Sequence, residues 1–529
     1  MSTNSFISAF SKVASGTFLS RILGLVREQV FAHLFGASVA ADAFFAAYRI
    51  PNLLRDLFAE GALSSAFVPV FKQELQKGGK EQAFGLAQIS FSVVGIVVAA
   101  VSILGALASP WLTKIMTPGF DRIAGKLELT ADLTALMFPF LLLVALAALI
   151  MSILNSLDRF GIPALASTMF NIGVIAAAVI ICPYMEQPIY GMAYGVLLGG
   201  LGQILIQLPS LHRVGFRFRF RPEFKDESLR KVGKLITPMI GGLAAGRINI
   251  FVNTLIASLL AAGSVSYLTY AYRIMHLPLG IIAVGLGTVA LPKSSAQAAS
   301  NDIEGMRRTF YRSILLCFFL TLPVIAFFIA AGERIVSLLF EHGRFTAIDT
   351  SNTYAALVWF SVGLIGFAGV RVTAPFYYAL NDSMKPMRFS IISVVVNLAA
   401  NALVFIPALG FAGLALATAI GGIVNFGLLL THLPKKIPGV RLSKIANHFL
   451  YLLTGAIAAG AVGLSLSGTH YVDFGIENHI LDQSVQIIAI GFYVIAMYGI
   501  FCLRYVFFRG DEIQDMLKGK SGSIKGPRV

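Results

Sequence analysis

The sequence predicts an all-α, polytopic membrane protein of about 14 transmembrane helices, arranged as two parallel six-helix lobes with pseudo-two-fold symmetry plus two C-terminal helices. Three observations carry that expectation. Apolar stretches of about 20 residues, the length at which a helix crosses a ~30 Å hydrocarbon core, recur along the chain. Hydrophobic residues make up 57% of the 529 positions and charged residues only 13%, with a mean hydropathy of +0.79, more apolar than any water-soluble core requires. Basic residues, finally, gather in alternate loops.

The spans follow one another between charge and turn residues. The opening "MSTNSFISAFSKVASGTFLSRILG" has no compact apolar core ahead of a small-residue cleavage site, so it reads as a retained first helix, 8–33. The second span, 40–71, contains Pro51, and 83–109, 132–155, 161–182 and 187–209 complete an N-lobe over 1–211. A basic linker, 212–234, leads into a C-lobe over 235–436 with spans at 235–261, 265–291, 311–331, 352–380, 388–406 and 411–431. Spans at 445–467 and 485–506 make a third segment, 437–510, before a basic tail, 511–529.

Lys and Arg beside a span resist translocation, so they fix orientation. With both termini inside, 29 of the 41 basic residues fall in cytoplasmic segments, 5 fall outside (Lys114, Arg122, Lys126, Arg334, Arg344) and 7 lie in span interiors. The inner loop "HRVGFRFRFRPEFKDESLRKVGK" holds eight basic residues, whereas the outer loop "SGTHYVDFGIENHILDQ" holds none. The net charge of +15 is thus largely topological and spread over short loops, which excludes a nucleic-acid face. Cys182, Cys317 and Cys502 lie far apart in apolar spans, and the eight histidines lack ligand spacing, so no disulfide framework, metal site or cofactor is expected.

A shift of about 223 residues sets the chain against itself. "AYRI" at 47–50 recurs at 271–274, and Val68-Pro69 matches Leu291-Pro292. In "SLDRFGIP" and "ALNDSMKP", Pro163 matches Pro386 and Asp158 is set less well against Asp382; "GMAYGVLLGG" at 191–200 resembles "GLALATAIGG" at 413–422. Similar offsets in one order indicate a duplication. Because each unit has six spans, both keep one orientation, a parallel repeat whose lobes hold a site near the midplane and alternate access by rocking.

A charge at the bilayer centre costs about 2.5–3.5 kcal/mol on insertion scales. Seven basic residues sit in span interiors, Arg21, Arg27, Arg49, Arg55, Arg247, Arg273 and Arg371, and all are arginine. Arginine stays ionised and its planar fork grips phosphate oxygens in pairs. Six of the seven lie on the first two helices of each repeat, expected to face each other across the lobe interface, with only Glu28, Asp42, Asp56 and Glu60 as embedded acids. The excess of positive charge suits an anion. Asp42, Arg49 and Asp56 recur every seven residues near one helical stripe, and Asp56 and Glu60 are in reach of Arg49 or Arg55. Arg371, near the inner end of its span, reads as a snorkelling side chain. His276 reads as a satisfied helix histidine, and "RFRFR" at 217–221 as an interfacial anchor for anionic headgroups.

"SRILGLVREQVFAHLFG" followed by "ADAFFAAYRIPNLLRDLFAEGALSSAFVPVF" closely resembles the start of the MurJ (MviN) family of lipid II flippases, within the superfamily of multidrug and lipid-linked oligosaccharide exporters. The resemblance implies that the substrate is lipid II, the undecaprenyl-pyrophosphate-linked peptidoglycan precursor, moved from the inner to the outer leaflet of the bacterial inner membrane. It implies functional charges at Arg21, Arg27, Asp42, Arg55, Glu60 and Arg273; Arg49 and Arg247 are secondary candidates on their place inside the spans alone. It also implies a groove for the polyprenyl tail on the last two helices. Some relatives bind sodium through carboxylates; the nearest equivalents here are Asn253, Asn397 and Asn401, which carry no charge, so membrane potential is the expected energy source. A flippase that functions as a monomer, with lipid II and membrane lipids as partners, is the reading adopted. An O-antigen-type lipid-linked sugar would suit the same positive cavity, and only the resemblance separates the two. An enzyme acting on polyprenyl phosphates would need clustered acids, whereas Asp121, Glu128 and Asp473 are scattered, so no enzymatic activity is expected.

Overall fold

In the computed structural model the described residues are 3–57, 63–401, 406–467 and 479–508, and their regular structure is helical, with no strand among them. The chain is an all-α, multi-pass membrane protein. Ten helical segments among the described residues are long and apolar enough to cross a membrane. Other predicted spans fall on helices diluted by charge, or on one of only 17 residues.

One compact unit comprises Met1–Ser266 with Phe340–Asp349. It contains α1 (Thr3–Phe35), α2 (Val39–Leu57), α3 (Leu63–Leu107), α4 (Ser109–Met116), α5 (Lys126–Met137), α6 (Phe140–Ser156), α7 (Gly161–Ile180), α8 (Pro188–Arg213) and α9 (Glu227–Ser258). α3 is kinked at Gly78 and Gly79, where Gly79 takes φ +67°, so the end of the second predicted span, 63–71, and the third share one bent element, while the start of the second lies on α2. The fourth span is similarly made of two helices, α5 and α6, meeting at Pro139. α1 packs on α7, α7 on α8, α3 on α6, and α2 on α5. Leu104, Leu107 and Trp111 are exposed, the apolar exterior that lipid covers.

The other unit comprises Tyr267–Leu339 with Thr350–Val529. Most of α10 (Ser264–Ala299) lies in it, with α11 (Ile303–Phe340), α12 (Ala347–Val362), α13 (Leu364–Ala379), α14 (Met384–Ala400), α15 (Ile406–Leu409), α16 (Phe411–His432), α17 (Leu442–Ser467) and α18 (His479–Phe508). α13 and α14 both pack on α16, and α17 packs on α18.

The duplicated sequence signals perform the same local work in each unit. A Cβ on Gly199 would come within 2.7 Å of the Phe170 carbonyl on α7, while one on Gly200 would meet Phe140 and Leu143 of α6. Their counterparts behave alike: Gly421 faces Ser393 and Asn397 of α14, and Gly422 faces Phe367 of α13. In each pair one glycine lets the neighbouring backbone approach and the other makes room for a side chain of a third helix, the small-residue packing that membrane helices favour. The turn after α6 refines the alignment. Asp158 takes φ +60° and Asn381 takes φ +56°, and the next amides, Arg159 and Asp382, donate back to Leu154 and Tyr377 carbonyls at 2.8 and 2.9 Å. These are the same left-handed helix stop, so at a shift of 223 Asp158 corresponds to Asn381 rather than to Asp382.

Candidate functional site

The charges of the first unit stand on α1 and α2. Asn171 of α7 donates to the Ser20 carbonyl at 3.0 Å, fixing α1 immediately before Arg21, whose side chain is exposed. Arg27 is six positions on, rotated about 120° around the helix, and half-buried. Its guanidinium lies 5.4 Å from the Phe170 ring centre, and Phe170 belongs to a cluster with Phe140 and Tyr48. Such a cation over a ring is held by about 0.5–2 kcal/mol. The Nε and Nη2 groups both donate to one oxygen of buried Glu28, Nε at 3.0 Å. Adjacent helical residues do not normally face each other, and the length of the arginine lets it reach round. Among the described residues Nη1 has no hydrogen-bond partner. Arg55, half-buried on α2, is close enough for its like charge to bear on Arg27. Arg49 is also half-buried on α2, where Pro51 removes one backbone donor between the two arginines. Glu60 and the side chains of Asp56 and Arg247 lie outside the described residues.

Asp42 sits in a separate enclosed cluster. One carboxylate oxygen accepts from Lys126 Nζ at 2.8 Å and from the Gly263 amide at 2.7 Å. The other accepts from the Ser266 amide at 2.9 Å and its hydroxyl at 2.7 Å. Side-chain exposure is 1% for Asp42 and 2% for Lys126, whose ammonium also lies 4.0 Å from the Phe120 ring centre. The carboxylate therefore satisfies the amide just before α10 and one in its first turn, as a cap would. At the "AYRI" shift of 224, Asp42 and Ser266 are equivalent positions. Reading the sequence alone counts Lys126 as an outer-loop charge and pairs no lysine with Asp42; only the fold of α5 against α2 brings it inside.

In the second unit, Arg273 is half-buried on α10 between Tyr272 and His276. The Tyr272 ring lies 3.9 Å from the His276 ring and 5.7 Å from Phe360 in an edge contact. His276 Nδ1 faces the Tyr272 carbonyl at 3.2 Å, and Arg371 is exposed within electrostatic reach of that imidazole. Pro278 and Pro292 interrupt the hydrogen-bond ladder of α10, as Pro51 does in α2. Asn397 and Asn401, fully buried, bond to each other at 2.8 Å, and Asn397 donates to Thr418 at 3.3 Å. No cluster of three metal-ligating side chains occurs among the described residues.

Residues 31–480 match the family described as "Lipid II flippase MurJ". A Vibrio cholerae protein named as a probable lipid II flippase MurJ is 36% identical over 424 residues, covering 79% of this chain and 81% of its own. A solved structure of lipid II flippase MurJ in an inward closed conformation superposes with a TM-score of 0.76 at 27% identity, covering 94% of this chain and 99% of the other. An inward-facing multidrug resistance MATE family transporter of the MOP superfamily superposes with a TM-score of 0.67 over 79% of this chain and 94% of its own. At 17% identity that likeness shows the fold alone.

Proposed function

This chain belongs to the MurJ family of lipid II flippases, and we propose that it moves lipid II from the inner to the outer leaflet by alternating access, for cell-wall synthesis. The observation that carries the reading beyond family membership is Arg27. Its guanidinium is oriented by Phe170 and Glu28, stays partly exposed, and has one edge unbonded among the described residues. That is a preset fork for a pyrophosphate oxygen. Arg21, Arg55 and Arg273 complete the substrate contacts, with Arg49 and Arg247 as supporting charges and Asp42 and Glu60 as charge-balancing or gating groups. Transport without enzymatic chemistry, operation as a monomer in the inner membrane, and cytoplasmic termini belong to the same proposal. So do the domain roles, two six-span lobes and a tail groove on the final pair. Outward movement of an anionic headgroup is driven by an inside-negative potential, worth about 2.3 kcal/mol per charge per 100 mV.

The test is replacement of the native flippase of a bacterium by this protein and by its Arg27→Lys, Arg273→Lys and Arg371→Lys variants. Lysine keeps the charge and loses the fork, forfeiting a charge-assisted bond of about 1.5–3 kcal/mol. Arg27→Lys and Arg273→Lys are expected to reach the membrane at normal abundance, fail to support growth and leave lipid II on the inner leaflet, while Arg371→Lys supports growth. Full growth with the first two would refute the phosphate-fork assignment.

A further inference from the structure

The segment 216–221 follows α8 without regular secondary structure, and its alternate residues Phe216, Phe218 and Phe220 all line one cavity. Phe216 is buried against Phe84 and Phe91 of α3, at ring distances of 5.5 and 5.7 Å. The backbone is tied down at both ends, by Gln88 donating to the Arg217 carbonyl at 2.9 Å and by the Arg221 amide donating to Ser92 at 2.8 Å. Phe218 and Phe220 nevertheless remain 59% and 64% exposed. They stand at the mouth of a cavity of about 480 Å³, floored by α3, α6 and α8. Ser92 is its only lining side chain with a polar atom, and that hydroxyl is already bonded to Arg221 and Gln88. Along α3 the lining runs from Phe91 to Ala99, about 12 Å at helical rise, close to the depth of one leaflet of a ~30 Å core.

The charges at this mouth are not neutralised locally. Arg221 pairs with Glu223 at 2.8 Å, whereas exposed Arg217 and Arg219 have no acidic partner among the described residues. A dry groove one leaflet deep, lined by Phe216, Phe218 and Phe220 and interleaved in sequence with exposed Arg217 and Arg219, which have no acidic partner among the described residues, matches a molecule with an acyl chain and a phosphate. We propose that this groove of the first unit binds an anionic glycerophospholipid of the cytoplasmic leaflet, its acyl chain in the cavity and its phosphate on Arg217 and Arg219. The bound lipid holds the linker after α8 against the bilayer, apart from the charges assigned to the substrate.

Purified protein in detergent is titrated with phosphatidylglycerol or phosphatidylethanolamine and bound lipid is counted by native mass spectrometry. Wild type is expected to prefer phosphatidylglycerol. Arg217→Gln with Arg219→Gln should weaken phosphatidylglycerol about thirtyfold, roughly fivefold per lost surface charge contact, and erase the preference. A Cβ on Gly95 meets nothing within 4 Å, so Gly95→Phe fills the groove without disturbing its walls; it should cut binding of both lipids at an unchanged melting temperature. Equal binding of the two lipids by wild type, or an intact lipid count in Gly95→Phe, would overturn the site. Displacement of phosphatidylglycerol by a short polyprenyl pyrophosphate would equally overturn it, because the occupant would then be the substrate tail.

Discussion

Replacing Asp42 by Asn removes the one carboxylate paired with Lys126 among the described residues, from a cluster in which Lys126 is 2% exposed and four donors converge on that carboxylate. The amide still offers one acceptor oxygen, but its nitrogen is turned toward donors, and the ammonium is left buried without a counter-charge. Breaking a buried pair from one side costs about 3–5 kcal/mol. At roughly 2 °C per kcal/mol for a unit of this size, the melting temperature of purified protein should fall by about 6–10 °C. Removing the lysine charge as well, in Asp42→Asn with Lys126→Met, deletes the stranded ion and should recover most of that loss, since replacing both partners of a buried pair is often nearly neutral. The assay is thermal unfolding in detergent of wild type, both single variants and the double variant. A single Asp42→Asn variant melting with wild type, or a double variant no better than the single, would refute the pairing as the reason for the burial. Growth complementation by the double variant then separates roles: a protein that melts normally and supports growth leaves Asp42 no gating function.

Three further outcomes follow from other parts of the molecule. Collapsing the membrane potential should stop exposure of lipid II headgroups on the outer leaflet, while replacing sodium at constant potential should not; the reverse pattern would sink the proposed energy source. Gly199→Leu should lower membrane abundance severely, because its Cβ alone meets the Phe170 carbonyl at 2.7 Å, whereas Gly427→Leu, with nothing within 4 Å of its Cβ, should be tolerated; equal abundance would contradict the close helix approach. The Asp382 carboxyl is held below its usual range first by a hydrogen bond from Lys436, at 2.8 Å, with Lys385 adding to it. A depressed carboxyl stabilises the fold above its unfolded value of about 3.9 and loses that contribution as pH falls through the folded value. Asp382→Asn should therefore melt below wild type at about pH 7 and converge with it as pH falls below the lowered folded value, and a gap that persists in acid would show that the ion pair is not its source.

The helical class was legible because it rests on a repeated signal, apolar length, and the glycine pairs of the sequence repeat recur with their packing partners. Turn chemistry was legible only to within one residue. Asp158 and Asp382 match by type, but the left-handed conformation selects Asn381, since Asn and Asp both tolerate positive φ and type alone cannot choose between neighbours. The partners of the charges were least legible. Glu28 is adjacent to Arg27 in sequence, a spacing that ordinarily points two helical side chains apart, and Lys126 lies 84 positions from Asp42 in a segment whose charge reads as an exposed loop. Such pairs depend on how helices stack, which hydropathy does not encode.

Those two pairs also show why family charges of the same kind need not share a task. Lys126 and Asp42 are almost fully enclosed, and both carboxylate oxygens are committed, so a ligand would have to dismantle the cluster to reach either charge. Arg27 is 21% exposed beside a 7% exposed Glu28, and its two bonds converge on a single oxygen at one edge of the fork. The insertion cost of that arginine is thus partly offset within its own helix, while its charge and geometry stay available to an anion. An enclosed pair contributes to holding α2, α5 and the start of α10 together; the half-open one is the pair proposed for recognition. The Arg27→Lys and Asp42→Asn experiments separate these roles, since the first should abolish growth without lowering the melting temperature and the second should lower the melting temperature whatever happens to growth.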